Sequence, residues 1–425
     1  MERRYVIEGG NRLEGEIEVS GAKNAVLPAL SATVLARGVY KFKKVPKVRD
    51  VFCMLEILKH LGAKYEFKKN YLLVDTTNIQ EVNVPYELAS KIRASILFLG
   101  PACAVFKEAL IPFPGGCIIG KRPVDFHLNG LKKLGAEIIV EKGNIIARGG
   151  NLKGSEIILD FPSVTATENL MMAGVLADGE TVIKNVAKEP EVVFLGKMLK
   201  KMGAEIKGVG TDKIYIKGKK ELKPVSIEII PDRIEAGTFL ALAGLRRGNE
   251  IIIKNFCKDF LEIPLLKLEE IGLKIESLNK RKVLVKRKGS LNNTRILTAP
   301  YPGFPTDLQP IFTTLLTQAK GLSFITENLF ENRFLYVAEL NRMGANIKVE
   351  GTVAVVSGPT KLTGSPVRAP DLRAGAALVL AGLCAEDTTI IYNVEQIERG
   401  YENLIQKLSG IGARIRMEES NFPQV

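Results

Sequence analysis

Six times along the chain, apolar residues spaced three and four apart end on a glycine and give way to apolar–polar alternation. The segments are Leu55–Phe67, Leu131–Val140, Met198–Ile206, Leu266–Ile275, Leu340–Val349 and Leu404–Ile415, as in LKKLGAEIIV (131–140) and LNRMGANIKV (340–349). The first spacing puts apolar side chains on one face of a helix; the second puts them on one face of a strand. The glycine between them is Gly62, Gly135, Gly203, Gly272, Gly344 or Gly412. It reads as a left-handed helix cap, a conformation where a Cβ is costly. Successive glycines are 73, 68, 69, 72 and 68 residues apart, so one unit is written six times.

Two more landmarks complete the unit. Gly38, Gly179, Gly248 and Gly321 each open a strand pattern 24, 24, 24 and 23 residues before the next cap glycine. In the second unit the equivalent position lies near Lys107 to Ala109 and the interval is longer, the extra residues falling in the Gly115-Gly116-Cys117 loop. An insertion in one copy of a repeat marks a loop with a function. The third landmark is strand, turn, strand, helix start, as in RLEGEIEVSGAKNA (12–25), NLKGSEIILDFPSVTA (151–166) and KLTGSPVRAPDLRAGA (361–376); the copy around 83–95 is weaker. Each unit thus predicts strand, helix, strand, helix, strand, strand, which defines an α/β protein. Three units can close around shared helices, which predicts two lobes: residues 23–230, and residues 231–425 joined by the N-terminal strands 1–22. The chain would cross between them near 22 and 230, as at a hinge.

Charge narrows the partners. Lysine and arginine number 60 against 47 acidic residues, a formal charge of +13, which suits anionic ligands. Aromatic residues are sparse near the basic clusters, which argues against stacking on nucleic acid. Apolar runs such as Ala376–Cys384 are too short to span a bilayer. Met1–Tyr5 is not followed by a long apolar segment, which reads as no signal peptide. Five scattered cysteines (53, 103, 117, 257 and 384) point to free thiols in a reducing cytoplasm. Two isolated histidines and no CxxC predict no metal site, and nothing calls for a cofactor.

The third landmark sets polar residues at helix starts: Lys23 and Asn24; Arg93; Ser163 and Thr165; Asp232 and Arg233; Asp307; Asp371 and Arg373. Serine, threonine and aspartate there are ordinary N-caps when taken singly. Lysine and arginine oppose the helix dipole, so Lys23, Arg233 and Arg373 are expected to serve an anion. With helices parallel, these starts would all face a cleft between the lobes. Cys117 lies in PFPGGCIIGKRPVD (112–125), where glycines allow a mobile crown and Lys121 and Arg122 favour a thiolate. A basic site with one cysteine and a few aspartates favours acid–base chemistry on an activated anionic substrate.

The motifs SGAKNAVLPAL (20–30), KIRASILFLGP (91–101), PGGCIIGKRPVDFHLNGLKKLGA (114–136), SVTATENLMM (163–172), PDRIEAGTFL (231–240), PYPGFPTDLQP (300–310), ITENLFENRF (325–334), APDLRAGAALVLAG (369–382) and ERGYENL (398–404) follow in this order. Together they resemble, nearly end to end, the enolpyruvyl transferases, specifically those using UDP-N-acetylglucosamine as acceptor. The resemblance implies an inside-out α/β barrel of six βαβαββ units in two domains. It also implies transfer of the enolpyruvyl group of phosphoenolpyruvate to a sugar 3-hydroxyl, through a tetrahedral ketal phosphate, with loss of phosphate. By motif, Cys117 would be the acid. Lys23 and Asn24 would hold phosphoenolpyruvate, with Arg122 and Arg399 neutralising its charge. Arg93, Arg122, Pro123, Val124, Asp125, Phe126, Ser163, Val164, Asp307 and Leu329 would line the nucleotide-sugar site. Asp307 would also face the reacting hydroxyl, and Asp371 and Arg373 match the remaining cleft positions. Thr165 departs from the glycine usual in this motif. The sister enzyme acting on shikimate 3-phosphate shares fold and mechanism but lacks the cysteine loop.

Overall fold

The computed structural model describes residues 2–106, 108–115, 120, 124–149 and 151–420. The six glycines that end the helical patterns all have positive φ, between 93° and 116°. After five of them the next residue's N–H reaches back five positions, as from Ala63 to Leu58 and from Ala204 to Leu199 (2.9 and 3.0 Å). That bond closes the last helical turn and aims the chain into the strand that follows.

Each repeat contributes one inner and one outer helix. The inner helices are α1 (Lys23–Ala32), α2 (Leu99–Val105), α3 (Val164–Gly174), α4 (Arg233–Leu245), α5 (Gln309–Leu316) and α6 (Leu372–Cys384). They are apolar all round, and accordingly α4 is buried from Ile234 to Leu245 and α6 from Leu372 to Leu383. Such a helix can only sit inside. The outer helices bury one face: Arg49–His60 buries Val51, Met54, Leu55 and Leu58 and leaves Phe52, Cys53 and Lys59 more exposed. Close approach of inner helices needs small residues. A Cβ on Gly237 of α4 would stand 2.5 Å from Leu308, which precedes α5. Truncating fully buried Leu240 to alanine there would cost about 2–5 kcal/mol.

Six small sheets of one design face outward. In each, a short edge strand runs parallel to the second, and the third and fourth follow antiparallel, as in the order Glu156–Ile158, Glu180–Lys184, Lys213–Lys217, Glu205–Lys207. Lys213–Lys217 buries Ile214 and Ile216 and exposes Tyr215, as its alternation requires. The weak third landmark of the second repeat has a physical counterpart. Its edge strand is only Val82–Asn83, and a 3₁₀ turn, Arg93–Phe98, precedes α2.

The chain divides into two compact units, residues 21–117 with 122–230 and residues 1–20 with 118–121 and 231–425. In the first, α1, α2 and α3 are ringed by three sheets; in the second, α4, α5 and α6 are ringed by the other three. The N-terminus completes the second unit. Glu14–Glu18 pairs parallel with Glu250–Lys254, and Glu2–Glu8 lies between Thr388–Tyr392 and Arg414–Ser420. Each unit holds three βαβαββ repeats, and the chain has the two-domain inside-out α/β barrel fold. No helix among the described residues is long and apolar enough to cross a membrane.

Candidate functional site

In the first unit, Lys23 opens α1 beneath Ala22, which offers no side-chain cap. Its Nζ lies 2.9 Å from Asp50 Oδ2, both side chains nearly buried. Asp50 stands in the first turn of Arg49–His60, where the helix dipole favours an anion. Lys23, expected from the sequence to serve an anion, also has a counter-charge within the fold. A carboxylate 27 residues away supplies it. Asn24 and Arg93, also at helical starts, are half-buried.

Ser163 caps α3, its Oγ accepting from Ala166 N at 3.4 Å. Val164 follows. Val124, Asp125 and Phe126 begin the outer helix Asp125–Lys133, with Asp125 exposed. These two starts are tied from behind by His127, one of the two histidines isolated in the sequence. Asn169 Nδ2 donates to His127 Nδ1 (2.8 Å) and to Ile96 O (2.9 Å), while Asn169 Oδ1 accepts from Gly100 N (2.6 Å). That leaves Nε2–H to donate to Thr165 Oγ1, 3.2 Å away. The departure from glycine at 165 thus has a partner. Burial first, and Arg93 second, push the His127 pKa down to about 3, so the ring is neutral. Cys117, Arg122 and Pro123 lie outside the described residues.

In the second unit, Asp307 sits in the 3₁₀ turn Thr306–Leu308 that leads into α5. Its Oδ1 accepts from Arg333 Nη2 (3.2 Å) and its Oδ2 from Arg373 Nε (3.1 Å). Both arginines are almost fully buried, whereas Asp307 keeps 28% exposure. Two guanidiniums thus pair with its two oxygens. Burial alone would lower the Arg373 pKa, but the Asp307 charge, with Tyr401 and Asp232, carries it above the ordinary arginine value. Both Nη atoms of Arg373 are buried and meet no well-aligned acceptor among the described residues, and its guanidinium lies 5.4 Å over the Tyr401 ring. Asp371 caps α6 through Arg373 N (2.8 Å) and Ala374 N (3.1 Å). Asp232 caps α4 in the same way. Arg233 is 5.6 Å from the Tyr301 ring. Arg399 ends the turn Val394–Arg399, with Nη1 3.2 Å from Gln396 Oε1, and Leu329 is half-buried after the strand Ala319–Thr326.

The sequence pattern assigns no site role to Asp50, His127, Glu327 or Arg333. Arg333 carried a signal: an arginine inside ITENLFENRF with no helix or strand periodicity around it. Three of the four described cysteines contrast with the expected thiolate. Burial pushes Cys103 up to about 12 and Cys384 up to about 11, and raises Cys257 as well.

A basic α/β scaffold of this kind, with a lysine and several arginines at helix starts and an anchored aspartate, suits anionic substrates and acid–base chemistry. Comparison with known proteins agrees. The family described as EPSP synthase (3-phosphoshikimate 1-carboxyvinyltransferase) matches residues 7–408. A UDP-N-acetylglucosamine 1-carboxyvinyltransferase of Carboxydothermus hydrogenoformans is 51% identical over 416 residues, covering 98% of each chain. One from Desulfosudis oleivorans is 49% identical, covering 97% of this chain and 99% of that one. Among solved structures, the enolpyruvyl transferase NikO of Streptomyces tendae aligns with TM-score 0.88 at 24% identity, over 98% of this chain and 99% of that chain. EPSP synthase of Acinetobacter baumannii aligns at 0.74 and 19%, over 98% and 100%. At those identities the structures speak to fold alone. The chain belongs to the EPSP synthase family of enolpyruvyl transferases. Within that family, the curated relatives quoted carry the UDP-N-acetylglucosamine name over nearly their whole length.

Proposed function

We propose that the protein transfers the enolpyruvyl group of phosphoenolpyruvate to the 3-hydroxyl of UDP-N-acetylglucosamine and releases phosphate. The observation that carries this is the full-length similarity, at 46–51% identity, to curated enzymes of that name. The description of the family keeps shikimate 3-phosphate as the alternative acceptor. Phosphate release on mixing phosphoenolpyruvate with each acceptor tests the reading. Turnover with the nucleotide sugar and none with shikimate 3-phosphate is expected; the reverse overturns it.

The 3-hydroxyl oxygen adds to C2 of phosphoenolpyruvate while C3 gains a proton. The resulting ketal then loses a C3 proton and phosphate. In this reading Cys117 supplies the acid, and Lys23 and Asn24 bind phosphoenolpyruvate with Arg122 and Arg399. Asp307 accepts the hydroxyl proton, with Arg333 and Arg373 paired to its two oxygens. Arg93, Arg122 to Phe126, Ser163, Val164, Asp307 and Leu329 hold the nucleotide sugar, with Asp371 and Arg373 beside them. Lobes 23–230 and 1–22 with 231–425 both contribute. The product feeds peptidoglycan precursor synthesis in the cytoplasm, and so cell shape and division. The thiol of Cys117 makes the enzyme a target of the epoxide phosphonate fosfomycin.

A further inference from the structure

Glu327 takes no part in the roles above, yet two proposed site segments are hung on it. It follows the strand Ala319–Thr326 and is 2% exposed. Its own N–H is fixed to Thr352 O at 2.9 Å. Oε1 accepts from Thr298 Oγ1 (3.0 Å), Leu329 N (2.9 Å) and Phe330 N (3.3 Å). Oε2 accepts from Thr306 Oγ1 (2.9 Å). A buried carboxylate is tolerable only when donors of this kind surround it.

The two oxygens serve different segments. On the Oε1 side, Thr298 Oγ1 also accepts from Asn328 N (2.9 Å), so the turn 328–330 that presents Leu329 is held at three successive N–H groups. On the Oε2 side, Thr306 is gripped twice: its hydroxyl by Glu327, and its carbonyl by Arg333 Nε (3.4 Å) and Nη2 (3.3 Å). The next residue is Asp307. A glutamine could accept at only one of the two positions, because its nitrogen has no lone pair to offer. Peptide N–H groups cannot reverse, so its oxygen would stay with Leu329 and Phe330, and its NH2 would face Thr306 Oγ1, which can turn to accept: the contact becomes a neutral bond of reversed direction.

We infer that Glu327 is a positioning residue with two separable arms, one through Thr306 orienting Asp307 and one through Thr298 shaping the turn of Leu329. The inference rests on the proposed function. The Thr306 arm governs the reacting hydroxyl; the Thr298 arm governs nucleotide-sugar binding.

Steady-state phosphate release by the full-length protein, with phosphoenolpyruvate and UDP-N-acetylglucosamine, separates the arms. Thr306→Val lowers kcat about tenfold and leaves the nucleotide-sugar KM within about twofold, as expected for one charge-assisted hydrogen bond. Thr298→Val does the opposite, raising that KM about tenfold with kcat nearly unchanged. Serine at either position, which restores the hydroxyl, restores the parameter. Glu327→Gln, which keeps only a neutral, reversed bond to Thr306, lowers kcat less than Thr306→Val and leaves the nucleotide-sugar KM unchanged. If both valine variants move the same parameter, or melt earlier with unchanged kinetics, Glu327 is merely structural and the inference is overturned while the function stands. A wild-type protein that releases no phosphate overturns the functional reading, and the inference with it.

Discussion

Asp307→Asn tests the second unit's chemistry and its electrostatics together. The carboxylate bridges Arg333 and Arg373, whose side chains are 2% and 3% exposed. Asparagine keeps the shape and removes the charge, leaving Arg333 its second pair with Asp371 at 3.7 Å and Arg373 without the Asp307 pair. Breaking a fully buried pair costs about 3–5 kcal/mol. Asp307 is 28% exposed, so solvent screens part of this, and about 1–3 kcal/mol remains. At roughly 2–4 °C per kcal/mol for a unit of this size, Tm falls by about 2–12 °C. A helix-capping aspartate would lose almost nothing, since asparagine caps equally well. Turnover falls by at least about a hundredfold, because an amide cannot take the hydroxyl proton. Differential scanning calorimetry and phosphate release measure the two effects. Adding phosphate, an anion for the two guanidiniums, raises the variant's Tm more than the wild type's. An unchanged Tm would refute the bridging account, and near-normal turnover would show that the base lies elsewhere.

Lys23→Ala raises the phosphoenolpyruvate KM about 10- to 100-fold, the loss of a contact worth about 1.5–3 kcal/mol; unchanged initial-rate kinetics in a folded variant would exclude the assignment. His127 is neutral in the fold, its pKa held near 3 against about 6.5 when unfolded. Its contribution is complete above about pH 6.5 and is lost as pH falls toward 3, at about 1.4 kcal/mol per pH unit. Urea titrations of His127→Gln should show a flatter acid limb between pH 6.5 and 4, and an identical limb would count against it. Fosfomycin should label Cys117 selectively, because burial keeps Cys103 and Cys384 protonated with values near 12 and 11; peptide mapping that finds Cys53 or Cys257 labelled equally would remove any special status from Cys117.

What the chain alone determined is what depends on near neighbours. A left-handed glycine after a helix is a local requirement, so Gly62 through Gly412 announced six caps, and their spacing announced the repeat. Capping is equally local: Ser163, Asp232 and Asp371 each bond N–H groups two or three residues ahead. The motifs carried the family and its candidate residues, from Lys23 to Arg399. Tertiary structure alone decided the partners. Lys23 looked like a cation awaiting a ligand because Asp50 belongs to another helix, and only helix packing brings it within 2.9 Å. His127 looked isolated because its partners, Thr165 and Asn169, lie 38 and 42 residues away. Asp307 looked like a cap until α6 placed Arg373, 66 residues on, against its second oxygen. Glu327 passed unnoticed because two of its four donors are peptide N–H groups, which every residue but proline carries. Charges and hydrogen bonds act over a few ångströms of space, and spacing along the chain says little about which distant groups the fold will bring that close.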